Sequence, residues 1–174
     1  GKAVRFHEDE VRPMGRQATG VRGMRLGEGQ KVVCMLVAND EQRTVLTATE
    51  NGYGKRTPIS EYTKHGRGGQ GMIAIQASER NGELVGAVLV EDTDEVMLIS
   101  TGGTVIRVPS GGIKRSGRST QGVIVMRLRE GVGVELGHLA DLVVEDEALV
   151  LQHLGDVGFQ LGGRHIDHAP LDAV

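Results

Sequence analysis

Aromatic side chains are almost missing: the 174 residues include no Trp, 2 Phe and 2 Tyr. A core without large rings must be assembled from Val, Ile, Leu, Met and Ala, which favours many short strands and tight turns over long helices. One cysteine excludes a disulfide framework within the chain. That residue, Cys34, lies inside the apolar run Val32 to Val37 and reads as a small packed hydrophobe in a reducing compartment. No apolar stretch approaches the roughly 20 residues that a membrane helix needs, and no segment resembles a signal peptide. A soluble cytoplasmic protein is therefore expected. No Ser, His and Asp set and no paired carboxylates stand out, so no catalytic residue is assigned.

Glycine, by contrast, is abundant at 27 residues, and its placement is periodic. Gly66-Arg67-Gly68-Gly69-Gln70-Gly71 repeats a pattern found at Gly15-Arg16-Gln17-Ala18-Thr19-Gly20 and at Gly117-Arg118-Ser119-Thr120-Gln121-Gly122, each 51 residues away. Each copy leads into an apolar run, Val21 to Met24, Met72 to Ile75 and Val123 to Met126, so each is read as a turn before a strand. Gly1, Gly52 and Gly103 keep the same step, four residues before Arg5, Arg56 and Arg107. The expected fold is all-β and propeller-like, with about three tandem repeats of 51 residues that each form a four-stranded blade.

Taken in order, the chain opens midway through a repeat. Glu8-Asp9-Glu10 makes an acidic loop. Val32 to Val37 reads as a buried strand and Arg43 to Thr49 as its half-exposed neighbour across the polar turn Asn39 to Gln42. Asn51-Gly52 supplies the positive φ of a tight hairpin. In the second period the expected strands are Met72 to Gln76, Leu84 to Val90, Val96 to Ser100 and Thr104 to Val108, with a turn at Arg80-Asn81-Gly82. The third period fades after Leu128, although Val134 to Leu139 and Ala148 to Gln152 still suit strands. Blades are thus expected over residues 1–145, and an acidic, irregular tail or degenerate last blade over 146–174.

The net charge of −3 hides a division along the chain. Residues 1–129 carry 19 Lys or Arg against 14 Asp or Glu, a balance of +5, while 130–174 carry 1 against 9, a balance of −8. A basic body suggests a polyanionic partner, and an acidic tail could compete for the same surface.

Two motifs are set aside. Gly66, Gly68 and Gly71 match a dinucleotide fingerprint, but a strand follows them where that site needs a helix N-terminus. His153, His165, Asp167 and His168 could be spaced for a metal, yet without cysteines or a second spaced pair no metal site is assigned. The cations that fall at turns in phase with the repeat carry more weight. They are Arg12, Arg16, Arg22 and Arg25 in the first unit, Lys55, Arg56, Lys64 and Arg67 in the second, and Arg107, Lys114, Arg115 and Arg118 in the third. Repetition would place them along one edge. For Arg16, Arg67 and Arg118 an equal alternative is that they join blades by binding carbonyls, whereas Lys55, Arg56, Lys64, Lys114 and Arg115 have less structural reason to exist. Cations with few aromatics suit the backbone of duplex DNA better than single strands, whose binding generally uses aromatic platforms on which bases stack.

Residues Val11 to Met24 (Val-Arg-Pro-Met-Gly-Arg-Gln-Ala-Thr-Gly-Val-Arg-Gly-Met) and Thr47 to Thr57 (Thr-Ala-Thr-Glu-Asn-Gly-Tyr-Gly-Lys-Arg-Thr) closely resemble the C-terminal domain of the A subunit of bacterial DNA gyrase, and Gly117 to Val123 agrees with it. The resemblance covers about residues 1–145. It implies a β-pinwheel, a disc of six four-stranded blades whose basic rim bends and wraps duplex DNA, with this chain as the last three blades. It further implies that the glycine-rich basic box needed for wrapping lies upstream, that Gly66 to Gly71 echoes it with Gln70 in place of a cation, and that an acidic tail, here Glu145-Asp146-Glu147, tunes wrapping. The DNA-cutting tyrosine would lie in another domain, and ATP and Mg would belong to the holoenzyme. The partners would be the rest of the gyrase A subunit, together with the gyrase B subunit, in a bacterial, nucleoid-associated A2B2 heterotetramer. The corresponding domain of the topoisomerase IV A subunit, or else a propeller-like protein-interaction scaffold, is the alternative.

Overall fold

The computed structural model describes residues 1–135 and, by their backbone, residues 147–154. Among the described residues there are eleven strands: β1 (Lys2–His7), β2 (Gln30–Val37), β3 (Thr44–Thr49), β4 (Tyr53–Pro58), β5 (Met72–Ile73), β6 (Leu84–Val90), β7 (Glu95–Ser100), β8 (Val105–Pro109), β9 (Val123–Ile124), β10 (Val134–Glu135) and β11 (Glu147–Leu154). They form three antiparallel sheets ordered β2-β11-β1-β5, β6-β3-β4-β9 and β10-β7-β8. No α-helix occurs among the described residues. The all-β blade architecture expected from the repeat is therefore present.

The period of 51 is physical. Strands β1, β4 and β8 each run into a single 3-10 turn, at Glu8–Glu10, Ile59–Glu61 and Ser110–Gly112. The hairpin between β3 and β4 turns on Gly52, whose φ is +76°. The last glycine of the glycine-arginine turn sits against the preceding blade: a Cβ on Gly71 would lie 2.6 Å from the Ala3 carbonyl oxygen, and one on Gly122 2.6 Å from that of Gly54. Those close approaches let β5 pair with β1 and β9 with β4. Each four-stranded sheet thus takes its last strand from the repeat that follows.

Three of the expected strands differ. Val21 to Met24 forms no strand, because among the described residues no strand lies beside it as β1 lies beside β5; Met24 instead packs on Val4 and Phe6. β2 is not a buried strand but a sheet edge, with Val32 50% and Met35 62% exposed. Nor is β3 its hairpin partner. β3 is fully buried between β4 and β6, while β2 pairs with β11, the strand that contains Ala148 to Gln152. The apolar residues are spread over the joints between sheets: Val45, Ile59, Tyr62, Ile75 and Leu84 fill one cluster, Leu46, Val90 and Ile113 another, and Leu98, Met126 and Val134 a third. The expected boundary at 145/146, the acidic run at 145–146, and His165, Asp167 and His168 lie outside the described residues.

Candidate nucleic-acid interface

The in-phase cations divide into those the fold consumes and those it leaves facing water. Arg56, in the middle of β4, is buried. Its Nε donates to the Ile113 carbonyl at 2.8 Å and its second guanidinium nitrogen to the Gly111 carbonyl at 3.3 Å, gripping the 3-10 turn of the next blade. A third contact reaches the Asp92 carboxylate. Arg5, 51 residues earlier and equally buried, does the same with the Ile59 and Tyr62 carbonyls and with Glu41 at 3.0 Å. Burial of a guanidinium is tolerable only because each face of its fork finds an acceptor. Arg107, the third copy, is 70% exposed and, among the described residues, makes a 3.3 Å pair with Glu95.

Lys55 also belongs to the interior. It is fully buried, and its ammonium donates to the Gly117 carbonyl at 2.7 Å and the Arg118 carbonyl at 2.5 Å. Burial, reinforced by the charge of Arg118, pushes its pKa down to about 8. Arg67 donates its Nε to the Glu10 carbonyl at 2.7 Å and a terminal nitrogen to the Arg22 carbonyl at 3.2 Å, and Arg118 reaches the Ile73 carbonyl at 2.9 Å. The blade-joining alternative therefore describes Arg67 and Arg118. The expectation that Lys55 and Arg56 fall at turns with little structural reason to exist is corrected: both lie on β4, and they bind carbonyls of the neighbouring blade.

Five other cations point outward. Arg12, Arg16, Arg22, Arg25 and Lys114 are exposed, and their side chains have no hydrogen bond or ion pair among the described residues. Arg22 and Arg25 lie beside the second glycine-arginine turn, since Gly68 N–H donates to the Gly23 carbonyl at 2.6 Å and Arg25 N–H to the Gly69 carbonyl at 2.7 Å. Lys64 is exposed as well, at a parallel bridge to Arg5, and Arg115 occupies the same place beside Arg56. Arg115 is held by Asp92 at 2.6 Å, and Arg115 first, then Arg56, draws the Asp92 carboxyl below its usual range.

Sequence reasoning missed the carboxylates. Glu41 and Asp92 stand 51 residues apart, as do Glu10 and Glu61, so the acids keep the repeat as strictly as the cations do. Glu10 accepts the Arg67 N–H at 2.9 Å, and Glu61 lies close to Gly117 at the equivalent place. That shared phase was readable in advance. No cluster of metal-ligating side chains and no helix long and apolar enough to cross a membrane occurs among the described residues.

Serially crossed β-blades with arginine-clamped joints define a propeller-like, all-β repeat module. The chain belongs to the DNA gyrase C-terminal domain, beta-propeller family, whose model matches residues 1–39, 43–91 and 94–135. It is 52% identical over 128 residues to the DNA gyrase A subunit of Pseudomonas aeruginosa, covering 74% of this chain and 14% of that protein. To the gyrase A subunit of Escherichia coli K12 it is 49% identical over 148 residues, covering 84% and 17%. The chain thus spans less than a fifth of the curated relatives it matches. A solved DNA gyrase A C-terminal domain superposes with a TM-score of 0.67 at 27% identity, covering 76% of this chain and 48% of that one. The C-terminal domain of DNA topoisomerase IV superposes with a TM-score of 0.69 at 24% identity, which shows the shared fold.

Proposed function

We propose that this chain binds duplex DNA along its exposed cationic edge and bends it, as the part of a gyrase A subunit that presents a curved DNA segment for supercoiling. The observation that carries the reading is the division of the cations. The fold uses Arg5, Lys55, Arg56, Arg67 and Arg118 for its joints, yet leaves Arg12, Arg16, Arg22, Arg25 and Lys114 in water without internal partners. With no recognition helix among the described residues, these cations read phosphates rather than base edges. Smooth bending of 20 to 30 base pairs costs on the order of 1–6 kcal/mol, which several phosphate contacts can offset. Strand cleavage and ATP-driven passage, with its Mg, belong in this reading to other domains of the gyrase A subunit, together with the gyrase B subunit, in an A2B2 heterotetramer.

The test is binding of the full chain to a duplex of about 40 base pairs, labelled at both ends for energy transfer, across a salt series. If all five outward cations engage, the log-log slope is about −4.5, and the ends approach one another. No binding at low salt overturns the reading. Salt-insensitive association with another protein would instead favour the interaction scaffold, for which the blade-joining roles of Lys55, Arg56, Arg67 and Arg118 speak.

A further inference from the structure

Deepening the DNA-edge reading, on which it rests, we infer that Asp92 is an affinity governor: a surface carboxylate that sequesters Arg115 and withholds it from DNA phosphate. One oxygen, Asp92 Oδ1, takes a guanidinium nitrogen of Arg56 and, at 2.6 Å, one of Arg115. The two arginines depend on it unequally. Arg56 is buried and is anchored by the Ile113 and Gly111 carbonyls besides the carboxylate. Arg115 is 50% exposed, and Asp92 is its side-chain partner among the described residues. The carboxylate is itself 59% exposed, so solvent and any approaching phosphate reach the same guanidinium.

The loop that carries Asp92 is fixed by its backbone. Ser110 N–H donates to the Asp94 carbonyl at 2.8 Å, the Ser110 hydroxyl to the Glu91 carbonyl, and a Cβ on Gly111 would lie 2.7 Å from the Asp92 carbonyl oxygen. The side chain can therefore change without moving the loop. Next to Arg115 stands Lys114, exposed and with no side-chain partner among the described residues. Two adjacent cations thus differ in availability: Lys114 is presented and Arg115 is held. A phosphate that engages the held nitrogen of Arg115 competes with a carboxylate of the same charge, so the pair weakens binding at this point instead of strengthening it.

The experiment compares duplex binding by the full chain and by its Asp92→Asn, Asp92→Asn/Arg115→Ala, Arg115→Ala and Lys114→Ala variants, over a salt series with a 40-base-pair duplex. Releasing one more phosphate contact steepens the log-log slope by about 0.9, so Asp92→Asn loses roughly 3- to 4-fold more affinity than the parent over a fourfold rise in salt, and binds tighter at low salt. Adding Arg115→Ala removes that gain. Arg115→Ala alone stays close to the parent, while Lys114→Ala weakens binding; this pair of single variants decides the matter if Asp92→Asn loses its fold. Parent binding that is salt-sensitive but unchanged by Asp92→Asn, or a gain that survives in the double variant, overturns the governor and leaves the DNA edge standing. Absence of duplex binding by every variant and by the parent overturns both.

Discussion

Arg56 and Ile113 lie 57 residues apart in sequence, and the guanidinium Nε of one donates to the carbonyl of the other at 2.8 Å. A terminal guanidinium nitrogen of Arg5 donates to the corresponding Tyr62 carbonyl at 3.3 Å. The fold rests on this recurring stitch. Arg56→Ala strips acceptors of a charged, buried donor and should cost about 3 kcal/mol in denaturant unfolding. Arg56→Lys should recover little of it, since an ammonium cannot span the fork. Arg107→Ala, at the exposed third copy, should stay within about 0.5 kcal/mol.

Gly103 and Gly122 share a left-handed backbone, with φ of +80° and +82°. Only the second is crowded: a Cβ there meets the Gly54 carbonyl oxygen at 2.6 Å, whereas the space around Gly103 is open. Gly103→Ala should cost about 1 kcal/mol for the backbone conformation alone. Gly122→Ala should cost roughly 3 kcal/mol or more, because β9 must move off β4. Thermal midpoints of the two variants check the difference.

Burial pushes the Cys34 thiol up to about 11. At pH 8 its alkylation in the folded chain should be slower than in denaturant by on the order of 10²-fold, as the thiolate fractions require. The unfolded thiol loses its proton first, so this residue's contribution to stability is complete below about pH 8.5 and is lost as pH rises towards 11. A Cys34→Ala variant lacks that decline.

Lys55 has the opposite sign. Its folded pKa of about 8 lies below the ordinary lysine value, so between about pH 8 and 10.4 the unfolded chain holds the extra proton and stability rises with pH. Measured against Lys55→Met, the parent should gain stability across that window. Duplex affinity should not respond to the substitution at matched salt, since the ammonium is closed in by the Gly117 and Arg118 carbonyls.

The outward cations should behave in reverse. Changing Arg12, Arg16, Arg22 and Arg25 together to Ala should leave the unfolding midpoint nearly unchanged and flatten the salt dependence of duplex binding by up to about 3.6 log units per log unit of salt.

The blade period, the all-β class and the place of β6 were legible because glycines needed for left-handed turns and close approaches recur at one spacing. The pairing was not. Alternation marks where a strand lies but not its neighbour, so β2 and β3 looked like a hairpin although β3 belongs between β4 and β6. Side-chain destinations were hidden for the same reason. Lys55 and Arg56 occupy a strand whose sequence, Tyr-Gly-Lys-Arg-Thr-Pro, reads as polar and loop-like. Its interior character appears only once the Gly117, Arg118, Gly111 and Ile113 carbonyls are brought alongside. Arg67 and Arg118 carried two readings that only their acceptors could separate, and the phased acids Glu41 and Asp92 drew notice only after the arginines they hold were located.

The crossing of strands between repeats has a mechanical consequence. β9 follows the third glycine-arginine turn in the chain but hangs on β4 in space, as β5 hangs on β1. A tug on either loop is therefore shared by two sheets at once. Tension from a stiff, curved polymer held at the rim would spread through the array like load through overlapping shingles, and no single blade would have to bear it alone.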